Sequence, residues 1–310
     1  MDATPIVLVG GPTGVGKSAL AIELARRLGG EILNADSLQV YRYMDIGTAK
    51  PSDAERRLVP HHLLDLVRPD EPFDAALFGE AARPVIEALR AEGRVPIVTG
   101  GTGLYMKTLL GGICPGAPSS GPVREELLKE LEDHGLEFLH RSLKSVDPLL
   151  GQKIHPHDRQ RVLRALEVFR LTGKPLSHWQ ERHRFRGGHY PAVKIGLGRD
   201  RAELCERIDR RVFTMMEQGF LEEVENLLSM GFGPELKPMR SLGYRQLVRY
   251  LSGDCSMEAA LGEIQRDTRR YAKRQMTWFR GDAEFQWFHP AEQERIIAWV
   301  RERLRAFPDS

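Results

Sequence analysis

With 310 residues, 45 Lys and Arg against 43 Asp and Glu, and a net charge of +2, the chain carries no bulk charge that announces a nucleic-acid partner. Its 41% hydrophobic content suits one large packed domain or two modest ones, and no apolar segment reaches the roughly 18 residues of a membrane span. Cys114, Cys205 and Cys255 lie far apart without a C-x-x-C pair, which argues against a zinc or disulfide framework; with no basic leader in MDATPIVLVGG, the expectation is a reduced, cytoplasmic enzyme.

Strand-like runs fall at residues 6–9, 31–35, 63–67 and 95–99, with helical patterns at 18–28 and 74–92 between some of them. Alternation of this kind predicts βαβ units and a parallel sheet. Pro and Gly cluster in GGICPGAPSSGP (111–122), a boundary signal. Helical periodicity follows at 122–134, 136–145 and 158–171, a further strand-like run at 193–197, and then helices with breaks at 231–238 and near Gly253. The predicted fold class is α/β, a P-loop NTPase-like parallel sheet core with a helical insertion domain. Residues 1–115 form the first part of the core, 116–192 the insertion, and 193–310 the mostly helical second part.

Between the first strand and the first helix stands GPTGVGKS, which fits the phosphate loop G-x-x-x-x-G-K-[ST] from Gly11 through Pro12, Thr13, Gly14, Val15 and Gly16 to Lys17 and Ser18. In such loops backbone N–H groups and a helix N-terminus face an anion, Lys17 neutralises phosphate oxygens, and the Ser18 hydroxyl meets Mg²⁺. The loop specifies a phosphate ligand without specifying ATP. The strand VPIVTG ends in Gly101-Thr102-Gly103 instead of the aspartate a nucleotide hydrolase needs. Asp36 follows another strand, in EILNADSLQVY. Since carboxyl ends of adjacent parallel strands share one crevice, Asp36, Thr102 and the phosphate loop are expected to face one pocket. Asp36 there can be a base, a metal ligand or a helix N-cap.

The segments GPTGVGKS, NADSLQVYRYMDIGTAKP, HHLLD, VTGGTGLY, DRQRVLRALEV, RSLGYRQ and RRYAKRQMTWFR occur in this order. In them the chain resembles the tRNA dimethylallyltransferases, also called tRNA isopentenyltransferases, from about Ile6 to Trp287. The resemblance implies transfer of the dimethylallyl group from dimethylallyl diphosphate to N6 of the adenine at tRNA position 37, beside the anticodon, with diphosphate released. It implies that the phosphate loop holds this diphosphate with Mg²⁺ through Ser18, that Asp36 acts as base and that Thr102 binds the flipped adenine. Arg211, in ERIDRRVF, matches a family arginine that clamps the diphosphate, or is a solvated helix charge. Implied tRNA contacts are Asp36, Ser37, Leu38 and Gln39; Thr102; Arg124; Gln160, Arg161, Val162, Leu163 and Arg164; and Arg240, Ser241, Leu242, Gly243, Tyr244 and Arg245. The partners expected are the tRNA anticodon stem-loop and dimethylallyl diphosphate, with no membrane, for a monomer of bacterial type that lacks the C-terminal zinc finger of animal and yeast relatives.

Charge distribution agrees with that implication. Eight Lys and Arg stand against three acids from Asp158 to Arg186, and six against Asp267 from Arg266 to Arg280. Trp179, Phe185, Tyr271 and Trp278, interleaved with them, are available to stack on bases. His155-Pro156-His157-Asp158 reads as a helix start capped by Asp158, not a metal site. Two further enzymes compete. An adenylate isopentenyltransferase acts on free AMP or ATP and usually lacks a basic helical insertion. A small-molecule kinase leaves DSLQVY and GGTGLY unexplained. A non-catalytic RNA-binding module conflicts with the intact phosphate loop.

Overall fold

The computed structural model describes residues 5–112, 120–183 and 190–307. Cys114, Arg184, Phe185, Arg186 and the expected boundary at 115–116 lie outside them, as does the side chain of Arg182. The chain divides into two compact units, one of residues 1–110 with 190–310 and one of residues 111–189. The first therefore closes a little earlier than the Pro-Gly cluster suggests.

The first unit is a doubly covered parallel sheet. Its elements are β1 (Ile6–Gly10), α1 (Lys17–Leu28), β2 (Gly30–Asn34), α2 (Asp53–Leu58), β3 (His61–His62), α3 (Ala75–Ala91), β4 (Val95–Gly100) and α4 (Gly103–Gly111). The second unit supplies α5 (Gly121–Val146), α6 (Pro148–Lys153), α7 (Arg159–Thr172) and α8 (Leu176–His183). The chain then returns with β5 (Ala192–Leu197), α9 (Arg201–Glu217), α10 (Phe220–Ser229), α11 (Tyr244–Leu251), α12 (Met257–Arg280), β6 (Gln286–Phe288) and α13 (Gln293–Arg305).

The sheet order is β3-β2-β4-β1-β5-β6, with every pairing parallel. Strands buried on both faces read as continuous apolar runs, and their alternation splits one core into two layers. Ile6 and Leu8 join Leu33 and Val98 under α3 and α9–α12, where Phe78, Ile86, Val212, Phe220, Ile264 and Phe279 pack. Val7 and Val9 join Ile32, Ile97 and Ile195 under α1 and α13, against Leu20, Leu24, Ile296 and Val300.

Two strand expectations need correction. Residues 63–67 do not form a strand. β3 stops at His62 because Leu63 (φ 64) and Asp65 (φ 56) turn left-handed, and Asp65 is held by Lys50 at 2.6 Å and Arg56 at 3.2 Å. Sequence reading also missed β6, a three-residue edge strand beside β5.

In the second unit, α5 covers both predicted helices in one span that kinks at Gly135, whose φ of 77 no helix accommodates. Leu127, Leu139, Leu143, Val162, Leu163 and Leu166 close its core. Asp158 caps α7 by accepting from the Arg161 N–H at 3.2 Å.

Candidate active site

β1, β2 and β4 end side by side, Asn34 opposite Thr99 and Gly10 opposite Gly100, so the segments leaving them share one edge of the sheet. That edge opens on a cleft of about 1040 Å³ lined by the phosphate loop, residues 36–39, α9, the segment 237–243 and α12. At its floor α1 begins from Gly16, whose φ of 111 suits glycine and which offers no capping side chain; no acid follows in the first turn. The positive end of α1 is thereby left to an outside anion.

Two cations lie beside it. The Lys17 ammonium donates to the Pro12 carbonyl at 2.8 Å. Burial pushes its pKa down to about 7; Asp36 pulls upward against this, and Arg211 adds to the depression. Burial likewise lowers the Arg211 pKa, with Asp36 opposing. Arg211 is thus a half-buried cation of the cleft wall, not a fully solvated helix charge. Among the described residues neither Lys17 nor Arg211 forms an ion pair with a carboxylate. Half-buried cations that no carboxylate ion-pairs make a site for an anion.

Asp36 lines the same cleft. No helix follows it; its Oδ1 accepts from the Leu38 N–H at 2.9 Å and holds a turn, which removes the helix-cap alternative. Thr102 stands next to the cleft-lining Gly101, and its hydroxyl oxygen accepts from the Ser37 N–H at 3.0 Å. Gln39 donates to the carbonyls of Thr48 and Ala49 at 3.2 and 3.1 Å, so it braces the neighbouring wall as well as lining the cleft.

Arg240, Ser241, Leu242, Gly243 and Arg245 also line it. Ser241 brings a buried hydroxyl without a protein partner. Tyr244 is different: its side chain is fully buried, meets Phe220 edge-on and donates to Glu223 at 2.6 Å. It anchors the segment instead of facing the cleft. Val15 belongs to the core under α1.

On α12 the expected basic patch is partly neutralised. Asp267 gathers Arg245 at 2.6 Å and Arg266 and Arg270 at 3.5 Å, and Arg269 pairs with Asp209. Against the cost of burial, the Arg245 bond and the two neighbouring arginines hold the Asp267 carboxyl below its usual range. Tyr271 and Arg274 line the cleft, with the Arg274 guanidinium 5.7 Å from the Tyr271 ring centre.

Sequence reading passed over Gln275. Its amide, buried on the inner face of α12, accepts from the Thr13 N–H at 2.8 Å and donates to the Gly101 carbonyl at 2.9 Å. One side chain thus joins the phosphate loop to the segment carrying Thr102. The available signal was a polar residue on the buried stripe of an amphipathic helix. Arg199 and Arg207, also unremarked, donate to the carbonyls of Val15 and Gly14, both at 2.9 Å, bracing the loop from outside.

The remaining candidates, Trp278 apart, belong to the second unit. Val162 and Leu163 are fully buried in its core and cannot offer their side chains to a partner. Arg124 donates to Gln160 at 3.2 Å, Glu167 accepts from Arg164 at 2.9 Å, and Arg161 is largely exposed beside Asp158. Trp179 packs edge-on to His178 with Lys174 over its ring, while Trp278 lies against Gly103.

Two family models match the chain, IPP transferase over residues 39–282 and isopentenyl transferase over residues 4–65. A tRNA dimethylallyltransferase of Syntrophobacter fumaroxidans is 60% identical over 305 residues, covering 98% of this chain and 88% of that protein. One from Geobacter sulfurreducens is 48% identical over 294 residues, 94% of each chain. Among solved structures, the full-length tRNA isopentenylpyrophosphate transferase of Bacillus halodurans matches with a TM-score of 0.72 at 37% identity, over 97% of both chains. A eukaryotic dimethylallyltransferase acting on tRNA matches with a TM-score of 0.78 at 28% identity, over 98% of this chain and 80% of that one.

Proposed function

Since the chain belongs to the tRNA dimethylallyltransferase family and transfers a dimethylallyl group to tRNA, we propose that its acceptor is N6 of the adenine at position 37, beside the anticodon. The observation that carries the site assignment is the pair of half-buried cations without a carboxylate ion pair, Lys17 and Arg211, in the cleft that Asp36 lines.

In this reading the N–H groups of the phosphate loop, the head of α1, Lys17 and Arg211 bind the donor's diphosphate. The C–O bond to diphosphate breaks as N6 bonds to the carbon, and the leaving group departs with the electron pair onto these donors. Their fixed positions stabilise charge as it develops. The exocyclic amine is a weak nucleophile because its lone pair is conjugated into the ring. Asp36 takes the amine proton as the new bond forms. Thr102, held to Ser37 beside Asp36, hydrogen-bonds the adenine once it has left its stack. The segments 36–39 and 240–245, with Arg124, Gln160, Arg161 and Arg164, contact the tRNA.

A divalent cation fits the donor set through the Ser18 hydroxyl, exposed at the head of α1 where a hard ion finds oxygen. Among the described residues no cluster of three acidic, His or Cys side chains forms a cage, so of this chain's residues Ser18 would hold the ion. Mg²⁺ bound there supplies charge neutralisation for the leaving diphosphate.

Replacement of Asp36 tests the base. Asn keeps the shape and the acceptor for the Leu38 N–H, so Asp36→Asn should lower single-turnover rates by about 10² to 10⁴ while donor and tRNA affinities fall much less. A metal role predicts weakened donor binding with partial rescue by raised Mg²⁺. A role confined to the turn predicts a lowered melting temperature with near-normal turnover, which ends the base assignment.

A further inference from the structure

Part of the cleft wall is built from two segments distant in sequence, Gly47–Thr48–Ala49 and Ser241–Leu242–Gly243. Both rest on the first turn of α10. The Glu223 carboxylate accepts from three consecutive backbone N–H groups, of Asp45 at 2.8 Å, Ile46 at 2.6 Å and Gly47 at 3.0 Å. The oxygen that serves Gly47 also accepts from the Tyr244 hydroxyl at 2.6 Å. Successive N–H groups converging on one point make an anion nest, and here the anion is an internal side chain.

Phe220, one turn earlier on the same face of α10, completes the seat. A side chain at Gly47 would meet its ring at 2.1 Å and one at Gly243 at 2.9 Å, so both backbones lie flat against it. The far side of the first segment is fixed independently by Gln39, through the Thr48 and Ala49 carbonyls, and by the Thr48 hydroxyl donating to Met44 at 2.7 Å. Phe220 and the Tyr244 ring, which also lies against Gly47, pack the two segments together, and the Glu223 carboxylate is the hydrogen-bonded tie between them.

We propose that Glu223 is the positioning residue of the acceptor wall, setting the spacing between residues 45–49 and 240–245 and thereby the fit of tRNA in the cleft. The proposal rests on the reading of 240–245 as tRNA contacts, and the donor side is not touched by it. The chemistry of substitution is specific. In Glu223→Gln one oxygen still accepts from Asp45 and Ile46. The amide NH₂ on the other side can donate to Tyr244 but faces the Gly47 N–H, leaving a donor opposed by a donor. Gly47 must then shift. Tyr244→Phe removes one bond and leaves the nest intact.

The test is steady-state kinetics of the full chain with undermodified tRNA and dimethylallyl diphosphate, beside thermal melts. Glu223→Gln should raise KM for tRNA by about tenfold, and Tyr244→Phe by about threefold, the orders expected for one opposed or one lost buried bond. KM for the donor should stay within about twofold in both. If Glu223→Gln does not fold, the graded effect of Tyr244→Phe decides. Unchanged KM for tRNA in a folded variant overturns the proposal. So does an equal loss on both substrates that tracks the melting temperature, since that marks a structural role. A wild-type chain inactive with tRNA and the donor would instead strike the underlying reading of function, whatever the variants do.

Discussion

Lys17 carries a pH dependence whose sign follows from its surroundings. Burial places its pKa at about 7 against an ordinary value of 10.5. Without an anion beside it, its charged form is held far less firmly at neutral pH than that of an exposed lysine. Bound diphosphate favours the charged form, so the pKa rises in the complex and binding takes up a proton above pH 7. Donor affinity contributed by Lys17 is therefore fully present below about pH 7 and declines above it. The decline is at most about tenfold per pH unit and ends at the pKa of the complex. The ratio of wild-type to Lys17→Met affinity should fall from pH 7 to 9, because titration of the donor itself cancels in that ratio. A ratio independent of pH would show that Lys17 remains charged throughout.

At the level of elements, α7 sets surface arginines beside core residues within one turn. Arg161 is largely exposed and Arg164 is tied to Glu167, while Val162 and Leu163 between them are fully buried. Replacing Arg161 and Arg164 by Ala should weaken tRNA binding and reduce the slope of log affinity against log salt by about one unit per lost phosphate contact. Donor binding should change little; because Arg164→Ala also strips a partner from the buried Glu167 carboxylate, the melting temperature should hold in the Arg161→Ala single variant and fall in the double one. Unaltered tRNA affinity would remove α7 from the binding surface. Leu163→Ala should act oppositely, costing about 2–5 kcal/mol of stability through a cavity. This division was legible in part. Helical periodicity in RQRVLRALEVF marks the apolar stripe, but a motif that spans a whole turn was carried over without asking which face each residue occupies. The strands β1, β2 and β4 were legible because both faces are apolar and glycine or turn residues follow. β3 was overextended because LLDLV looks like a strand until Asp65 is drawn to Lys50 and Arg56. Gln275 and Glu223 could not be read at all from spacing. Their backbone partners lie 262 residues away for Thr13 and 178 for Asp45, and only the closed fold brings those together.

Across the whole molecule, the near-zero net charge concealed a local arrangement. The cleft gathers Lys17, Arg211, Arg240, Arg245, Arg270 and Arg274 against Asp36 and Asp267, a polarity suited to phosphate groups on a donor and on a nucleic acid. The parallel sheet places Lys17 and Asp36 beyond the carboxyl ends of β1 and β2, where open α/β sheets bind ligands, and α9, α12 and the segment 240–245 bring the others. The kinship with tRNA dimethylallyltransferases extends over nearly the full chain. The central claim is that a phosphate loop of nucleotide-binding type here holds an isoprenoid diphosphate and delivers its alkyl group to tRNA. The most direct measurement supplies purified wild-type protein and Lys17→Ala with undermodified tRNA and either dimethylallyl diphosphate or ATP, and follows modified adenosine and phosphate release. The account predicts dimethylallyladenosine and diphosphate from the wild type with the first donor, no product with ATP, and loss of transfer in Lys17→Ala. Lys17-dependent hydrolysis of ATP with dimethylallyl diphosphate left untouched would contradict it.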